Sequence, residues 1–470
     1  MSLQTGSGGG AREERLSLAC GAFPKSLSFP PAGCLVTSLA LSFHVGAAEL
    51  WMEAAEANRG AKPPPGLALR GGLLALTGGT RLLAARLKEP SHDDLFVYDC
   101  ATASKTPQEK QGKDIKSSGK ASHDILACAF SSSGTYFSLT DDNKQLILFR
   151  TKPAWECLSI RSVIRRCTSL IITATEDKIL VADKSGDVYS YSITEPENPG
   201  TLELGHLSLL LDVVLSPNDQ YIITADRDEK IRVSLTRAPH NIVSFCLGHT
   251  EFVSRIFVIP NYPDLLLSAS GDCTLRLWEY KHGKEVYCYH LKSLNICEAT
   301  KNEKKYTVLR IAYCCEESCI AILYDCTPAV SIFQLDAGAQ KLIDKQHIPL
   351  NCKGWDIAFE DTGGLWVLQE DMETPLLLYQ LVDGRWQPDT EDKRLKKMTK
   401  YIHDNWTAFE GCIGKESCYQ NLYKASFDNM AVYLQKKEER LQQQKKSRRK
   451  DSQPESNGQT KKIRTEALSL

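Results

Sequence analysis

His249 stands 23 residues ahead of Asp272, with Ser268 between them and Trp278 just beyond. A histidine beside a carboxylate can act as a catalytic base or share a metal ion with it. The same four residue types also have a purely structural use. Inside an apolar sheet they can satisfy one another's polar atoms, and each would be costly there if left unpaired. The surrounding sequence decides for the structural use, because it is written twice. Leu204-Gly205-His206 returns as Leu247-Gly248-His249, 43 residues later. In the first copy His206, Thr224 and Asp228 take the matching places, and Ser234 stands where the second has Trp278.

Each copy runs from Gly-His through an apolar run, a second strand and an acidic turn to a third strand: Ile231-Arg232-Val233 in one, Leu275-Arg276-Leu277-Trp278 in the other. A Gly-His start, an Asp in a tight turn and a closing Leu-Trp at this period mark a WD40 blade. Third-strand anchors recur at Leu95-Tyr98, Leu146-Phe149, Val188-Tyr191, Ile231-Ser234, Leu275-Trp278, Val330-Phe333 and Leu376-Tyr379, which makes seven. The expected fold is therefore all-β, a seven-bladed WD40 β-propeller over residues 66–390. Ring closure of this kind hides sheet edges that would otherwise aggregate. The strand at Gly66-Leu69 is expected to complete the last blade and pin the two ends together.

Composition agrees with a large core: 42% of the 470 residues are hydrophobic, and the net charge of −1 by itself selects no partner. Seventeen cysteines lack paired metal spacing, since Cys314-Cys315-x3-Cys319 contains no C-x2-C. They are expected to be small buried apolar residues in a reducing compartment. No metal site and no cofactor site is read in this chain. There is no G-x-G-x-x-G between strand and helix, no P-loop, no H-E-x-x-H and no G-x-S-x-G.

The ends read differently from the ring. Residues 1–65, with Gly6 to Gly10 and Pro63-Pro64-Pro65, form a flexible extension, and the apolar stretch from Cys34 to Leu50 is too short to span a bilayer. No membrane association is expected. Residues 391–444 form an extension ending in a helix from Asn421 to Gln444, with Tyr423, Phe427, Met430, Leu434 and Leu441 roughly on one face. Residues 445–470 are a basic, disordered tail. Its cluster Lys445, Lys446, Arg448, Arg449 and Lys450, followed by Lys461-Lys462-Ile463-Arg464, reads as nuclear targeting or nucleic-acid contact. The nucleus is the expected location, with the cytoplasm as a second.

Several longer strings carry a more specific likeness. Leu146 to Pro153, Val181 to Tyr189, Ile223 to Val233, Leu247 to Ile256 and Lys436 to Gln444 resemble the WD-repeat, non-catalytic subunit of the eukaryotic tRNA (guanine-N7-)-methyltransferase. The resemblance implies a heterodimer with a separate subunit that binds S-adenosylmethionine and methylates a guanosine in the tRNA variable loop. It implies that this chain is a scaffold and not an enzyme, meeting tRNA through the complex. It also places the partner contact on the charged turns of consecutive blades, at Lys184, Asp228, Glu229 and Arg232. Arg232 has a second possible role, bracing a turn acid such as Glu229, since Arg276 is its equivalent in the next blade. The alternative from another class is a general WD40 adaptor that recruits proteins through peptide motifs. A propeller enzyme would need acids or histidines grouped in the channel.

Overall fold

The computed structural model describes residues 63–87, 95–102, 122–291, 306–336, 338–415, 417–424, 430 and 434–442. Its strands form seven four-stranded antiparallel sheets, each built from four strands consecutive in sequence. They are blade 1 (66–99), blade 2 (125–162), blade 3 (167–205), blade 4 (210–246), blade 5 (253–290), blade 6 (308–349) and blade 7 (354–388). The innermost strand of each blade packs on that of the next, and Gly66–Arg70 meets Gly354–Phe359 of blade 7 to close the ring.

Burial explains which runs became which strands. Middle strands are covered on both faces, so they read as continuous apolar runs: every residue of Leu265–Ser270 is buried. Outer strands face water on one side, and Ala238–Cys246 exposes most of its length. Buried side chains gather into seven clusters, one at each junction between neighbouring blades; Ile223, Val233, Ile256 and Trp278, for example, join blades 4 and 5.

Buried acids rivet the inner strands. Asp212 accepts hydrogen bonds from Ser169 Oγ of blade 3 (2.8 Å) and from the Ile256 N–H of blade 5 (3.1 Å). Asp356 holds Arg310 of blade 6 at 2.7 and 2.8 Å and accepts the Leu67 N–H of blade 1 at 2.8 Å. Through these bonds the two buried acids tie neighbouring blades together.

Two expectations are corrected. Gly66–Arg70 is the inner strand of blade 1, in register with Leu73–Gly78, and does not complete blade 7. Blade 7 supplies its own outer strand, Arg385–Pro388. Likewise Phe96–Asp99 is the outer strand of blade 1, and its third strand is Arg81–Arg86.

The ends are joined instead by the chain that follows blade 7. Helix α1 (Lys393–Asp404) is capped by Asp392, which accepts the Arg394 and Leu395 N–H groups. Its Leu395, Met398 and Ile402 lie on one face and are buried with Trp406 and Phe409 in the cluster between blades 7 and 1. Trp406 and Phe409 stack on Trp355 of blade 7, while Phe409 also presses on Gly78 of blade 1, where a Cβ would lie 2.7 Å from its ring. The basic run at Lys393 to Lys400 concealed this amphipathic helix. The later helix does not begin at Asn421: Gln420–Leu422 is a single 3-10 turn, and helix is described at 430 and 434–442. Phe427 lies outside the described residues. Among the described residues no helix is long and apolar enough to cross a membrane.

Candidate partner-binding rim

The polar network of blade 5 brings its four residues together. His249 lies 3.0 Å from Asp272 through Nδ1 and 2.7 Å from Ser268 Oγ through Nε2, and Trp278 Nε1 donates to the same Ser268 Oγ at 2.8 Å. Since a carboxylate only accepts, Nδ1 carries the proton, so Nε2 accepts from the serine hydroxyl. Burial holds the His249 pKa below its ordinary value, against the pull of Asp272. Burial would raise Asp272, but hydrogen bonds from His249, Thr274 and the Thr250 N–H outweigh it and keep the carboxyl well below the usual range. The donors and acceptors are used within the blade, so the group is structural.

Blade 4 repeats the arrangement with a different acid. His206 Nε2 meets Thr224 Oγ1 at 2.7 Å, but its Nδ1 meets Asp226 at 3.0 Å and not Asp228. Asp226 has the register position of Ser270 in blade 5. There a serine caps the Glu251 carbonyl, so the acid must come from the next turn residue, Asp272. With an acid already at the strand end, Asp228 is released to the surface, where it is exposed. His123 and Asp141, 3.2 Å apart, start blade 2 in the same way.

The turns between second and third strands share one face of the ring with the loops that lead into each inner strand. On this rim Lys184 is half-buried in the turn after Lys178–Asp183, its N–H bonded to the Arg166 carbonyl at 3.1 Å. Burial lowers the Lys184 pKa, the Arg166 guanidinium lowers it further, and only Asp142 opposes them. Arg166 in turn pairs with Asp142 at 2.8 Å. Two cations therefore lie beside one carboxylate.

Apolar side chains frame this charged seat. Ile164 is 51% exposed two residues before Arg166, and Leu207 is fully exposed. Gly186 holds the two loops together: its φ is +100°, and a Cβ there would lie 2.6 Å from the carbonyls of His206 and Ser208. Ile164 and Leu207 were missed in the sequence. The available signal was an apolar residue in each polar connecting loop.

The remaining candidates separate. Glu229, at φ 71°, is half-buried and paired with Lys424 of the C-terminal segment. Arg232 is 8% exposed and turned inward, with Nε on Ser234 Oγ (2.9 Å) and its two terminal nitrogens on the carbonyls of Gly205 (3.0 Å) and Pro239 (2.9 Å). These bonds tie the outer strand of blade 4 to the end of blade 3, so Arg232 shapes the surface from beneath and does not brace Glu229. Lys445, Lys446, Arg448, Arg449 and Lys450 lie outside the described residues.

The model of the tRNA methyltransferase TRM82 WD40 domain family matches residues 85–202 and 194–375. The chain belongs to this family. The tRNA (guanine-N(7)-)-methyltransferase non-catalytic subunit WDR4 of Bos taurus is 55% identical over 369 residues, covering 78% of this chain and 89% of that one. Its Homo sapiens counterpart is 55% identical over 371 residues, covering 79% and 90%. Among solved structures, U3-55K superposes with a TM-score of 0.53 at 17% identity, covering 72% of this chain and 95% of that one, a likeness of fold alone.

From blade 7 to blade 4 the rim carries part of this chain's own C-terminal segment. Residues 413–415 and 417–424 run from blade 7 over blades 6 and 5 to blade 4. Lys353 Nζ holds the Lys415 carbonyl at 2.9 Å, and buried Asp325 accepts Ser417 Oγ and the Cys418 N–H. The rings of Tyr419 and Tyr423 pack on Phe252, 5.4 and 5.0 Å away. Lys424 ends the crossing on the Glu251 carboxylate, the Thr250 carbonyl and Glu229. The inner ends of blades 5 and 6 are thus covered by this strap.

Proposed function

We propose that the chain is the scaffold that binds and stabilises a separate S-adenosylmethionine-dependent subunit, which forms N7-methylguanosine in the tRNA variable loop. Family membership supports the assembly, and the seat at Lys184 carries the choice of surface. A half-buried lysine beside an arginine gains when a partner carboxylate arrives, and exposed Ile164 and Leu207 supply apolar area around it. Asp228 offers an acid to a basic partner group on the same arc. Glu229 contributes through its pairing with Lys424, and Arg232 positions the blade edge beneath. Methyl transfer belongs to the partner; the propeller holds that subunit in register with the tRNA.

Co-expression with the catalytic subunit, followed by affinity measurement, tests this reading. Lys184→Glu should weaken the heterodimer by about tenfold or more, as expected for loss of a desolvated charge pair. The isolated propeller should melt unchanged, because surface charges away from packing alter stability little. Parallel losses of binding and melting temperature would refute the surface. The basic tail is proposed to serve nuclear import and tRNA contact. Deleting 436–470 should lower nuclear accumulation of a fluorescent fusion and weaken tRNA binding most at low salt.

A further inference from the structure

We infer that Cys314 and Cys319 are a redox pair in blade 6 that closes to a disulfide when a small hydroperoxide reaches it. Val308–Cys314 is the inner strand of that blade and Cys319–Tyr324 its second strand. The two cysteines face each other on the last rung before the turn. Opposed residues of an antiparallel pair have Cα atoms about 4.5–5.5 Å apart and put their side chains on one face. A disulfide spans about 4.4–6.8 Å between Cα atoms, so this rung can close with its backbone in place. The thiols already meet, Cys319 donating a hydrogen bond to the Cys314 sulfur.

The surroundings make Cys314 the nucleophile. The bond from Cys319, and after it the N–H groups of Glu317 and Glu316, hold its thiol below the ordinary pKa against the effect of burial. The same bond, together with burial, pushes Cys319 up, so Cys319 keeps its proton and serves as the resolving thiol. Cys246 has no such donors, and burial alone pushes it up to about 12. Asn261 of blade 5 fixes the turn that supplies the N–H groups. Its Nδ2 donates to the Cys315 carbonyl at 3.0 Å and to Ser318 Oγ at 3.2 Å. Cys314 and Cys319 are 2% and 6% exposed, beneath a turn whose Cys315, Glu316 and Glu317 face solvent. That cover and its two acids favour a small neutral oxidant over a bulky anionic disulfide such as oxidised glutathione.

The step balances with hydrogen peroxide as oxidant. The Cys314 thiolate attacks one peroxide oxygen and the O–O bond breaks. Hydroxide leaves, takes up the proton that Cys314 had released, and Cys314 becomes a sulfenic acid. The Cys319 sulfur then attacks the Cys314 sulfur, the S–O bond breaks, and the hydroxyl departs as water with the Cys319 proton. Two thiols have lost two electrons, and the peroxide has become two waters.

The test exposes the reduced full chain to hydrogen peroxide and samples it over time. Free thiols are alkylated, and the chain is cut after Lys, Arg and Glu without reduction. Cleavage at Glu316 and Glu317 parts Cys314 and Cys315 from Cys319. Mass spectrometry should find these fragments joined through Cys314 and Cys319, with Cys315 alkylated, and dithiothreitol should separate them. The link should form at least about tenfold faster than exposed Cys157 is oxidised, because the thiolate is the reactive form. Cys319→Ala should halt Cys314 as a sulfenic acid captured by dimedone, while Cys315→Ala should link at the unaltered rate. Cys314 and Cys319 still alkylated after Cys157 has reacted would overturn the inference. So would a link through Cys315, or dimedone on Cys314 of the unaltered chain without any link. The mapping is made on the unaltered chain, so it decides the matter even where a variant does not fold.

Discussion

Replacing Ser268 by alanine tests whether the histidine of blade 5 is structural. The hydroxyl is wholly buried and serves two neighbours, giving its proton to His249 Nε2 at 2.7 Å and accepting Trp278 Nε1–H at 2.8 Å. Ser268→Ala leaves both atoms buried without a partner. An orphaned buried group costs about 1–3 kcal/mol, so the pair should cost about 2–6 kcal/mol. Ser268→Thr keeps the hydroxyl, as Thr224 does in blade 4, and should cost less than about 1.5 kcal/mol. Denaturant unfolding of the purified chain, followed by circular dichroism, reads both values. Trp278→Phe in the alanine background completes the comparison. It removes one orphaned donor, so the double variant should be more stable than the summed single losses by about 1 kcal/mol or more. A Ser268→Ala loss below about 0.5 kcal/mol, or strict additivity with Trp278→Phe, would refute the network as a stabilising unit.

In blade 4, Asp226→Asn should destabilise by about 2–3 kcal/mol, since its carboxylate holds His206 and the Lys230 N–H, whereas exposed Asp228→Asn should stay within about 0.5 kcal/mol; unfolding midpoints separate the two. Trp406→Ala should cost about 3–5 kcal/mol by emptying the cluster between blades 7 and 1, and limited proteolysis should then cut first near the ring closure. Acidification should also weaken the ring. His249 titrates lower when folded than when unfolded, so the unfolded chain takes up the proton first and stability falls as pH drops below about 6.5, by at most about 1.4 kcal/mol per pH unit. Unfolding measured between about pH 7.5 and about pH 5.5 checks the sign, and a rise in stability over that range would contradict it.

Repetition made most of the fold legible. Copies 43 residues apart show blades 4 and 5 directly, and polar turns carry the count through the ring. The network of blade 5 was legible because its four residues keep the motif spacing. Blade 4 misled because motif alignment selects Asp228, while hydrogen bonding is decided by where the strand ends, and Asp226 is already there. At the rim, charges drew attention and their geometry did not show. Arg232 lies in a charged stretch, yet its strand turns the guanidinium toward the carbonyls of Gly205 and Pro239. No local pattern reveals that contact, because Gly205 belongs to another blade. The strap was illegible for a similar reason: Tyr423 fits a helical face in sequence, but Phe252, 171 positions earlier, supplies the surface it packs on.

Closure of the ring follows from strand number. Four apolar runs lie between Gly66 and Asp99, and lending the first to blade 7 would leave blade 1 with three. Blade 7 has no vacancy, because Arg385–Pro388 pairs with Leu376–Val382 as its fourth strand. The ring therefore has a seam between blades 7 and 1 that no strand crosses. Seams of this kind are held by side chains; beside the bond from the Gly71 N–H to Asp361, two sets stand out among the described residues. On the inner side Asp356 joins Arg310, its own blade and the Leu67 N–H. Around them, α1, Trp406 and Phe409 bury apolar surface against both blades at once. The polypeptide that closes the seam then continues as the strap to blade 4. Ring closure and the covering of the inner ends of blades 5 and 6 thus both rest on the segment after blade 7, through Trp406 and Phe409 at the seam and through Tyr419 and Tyr423 on Phe252.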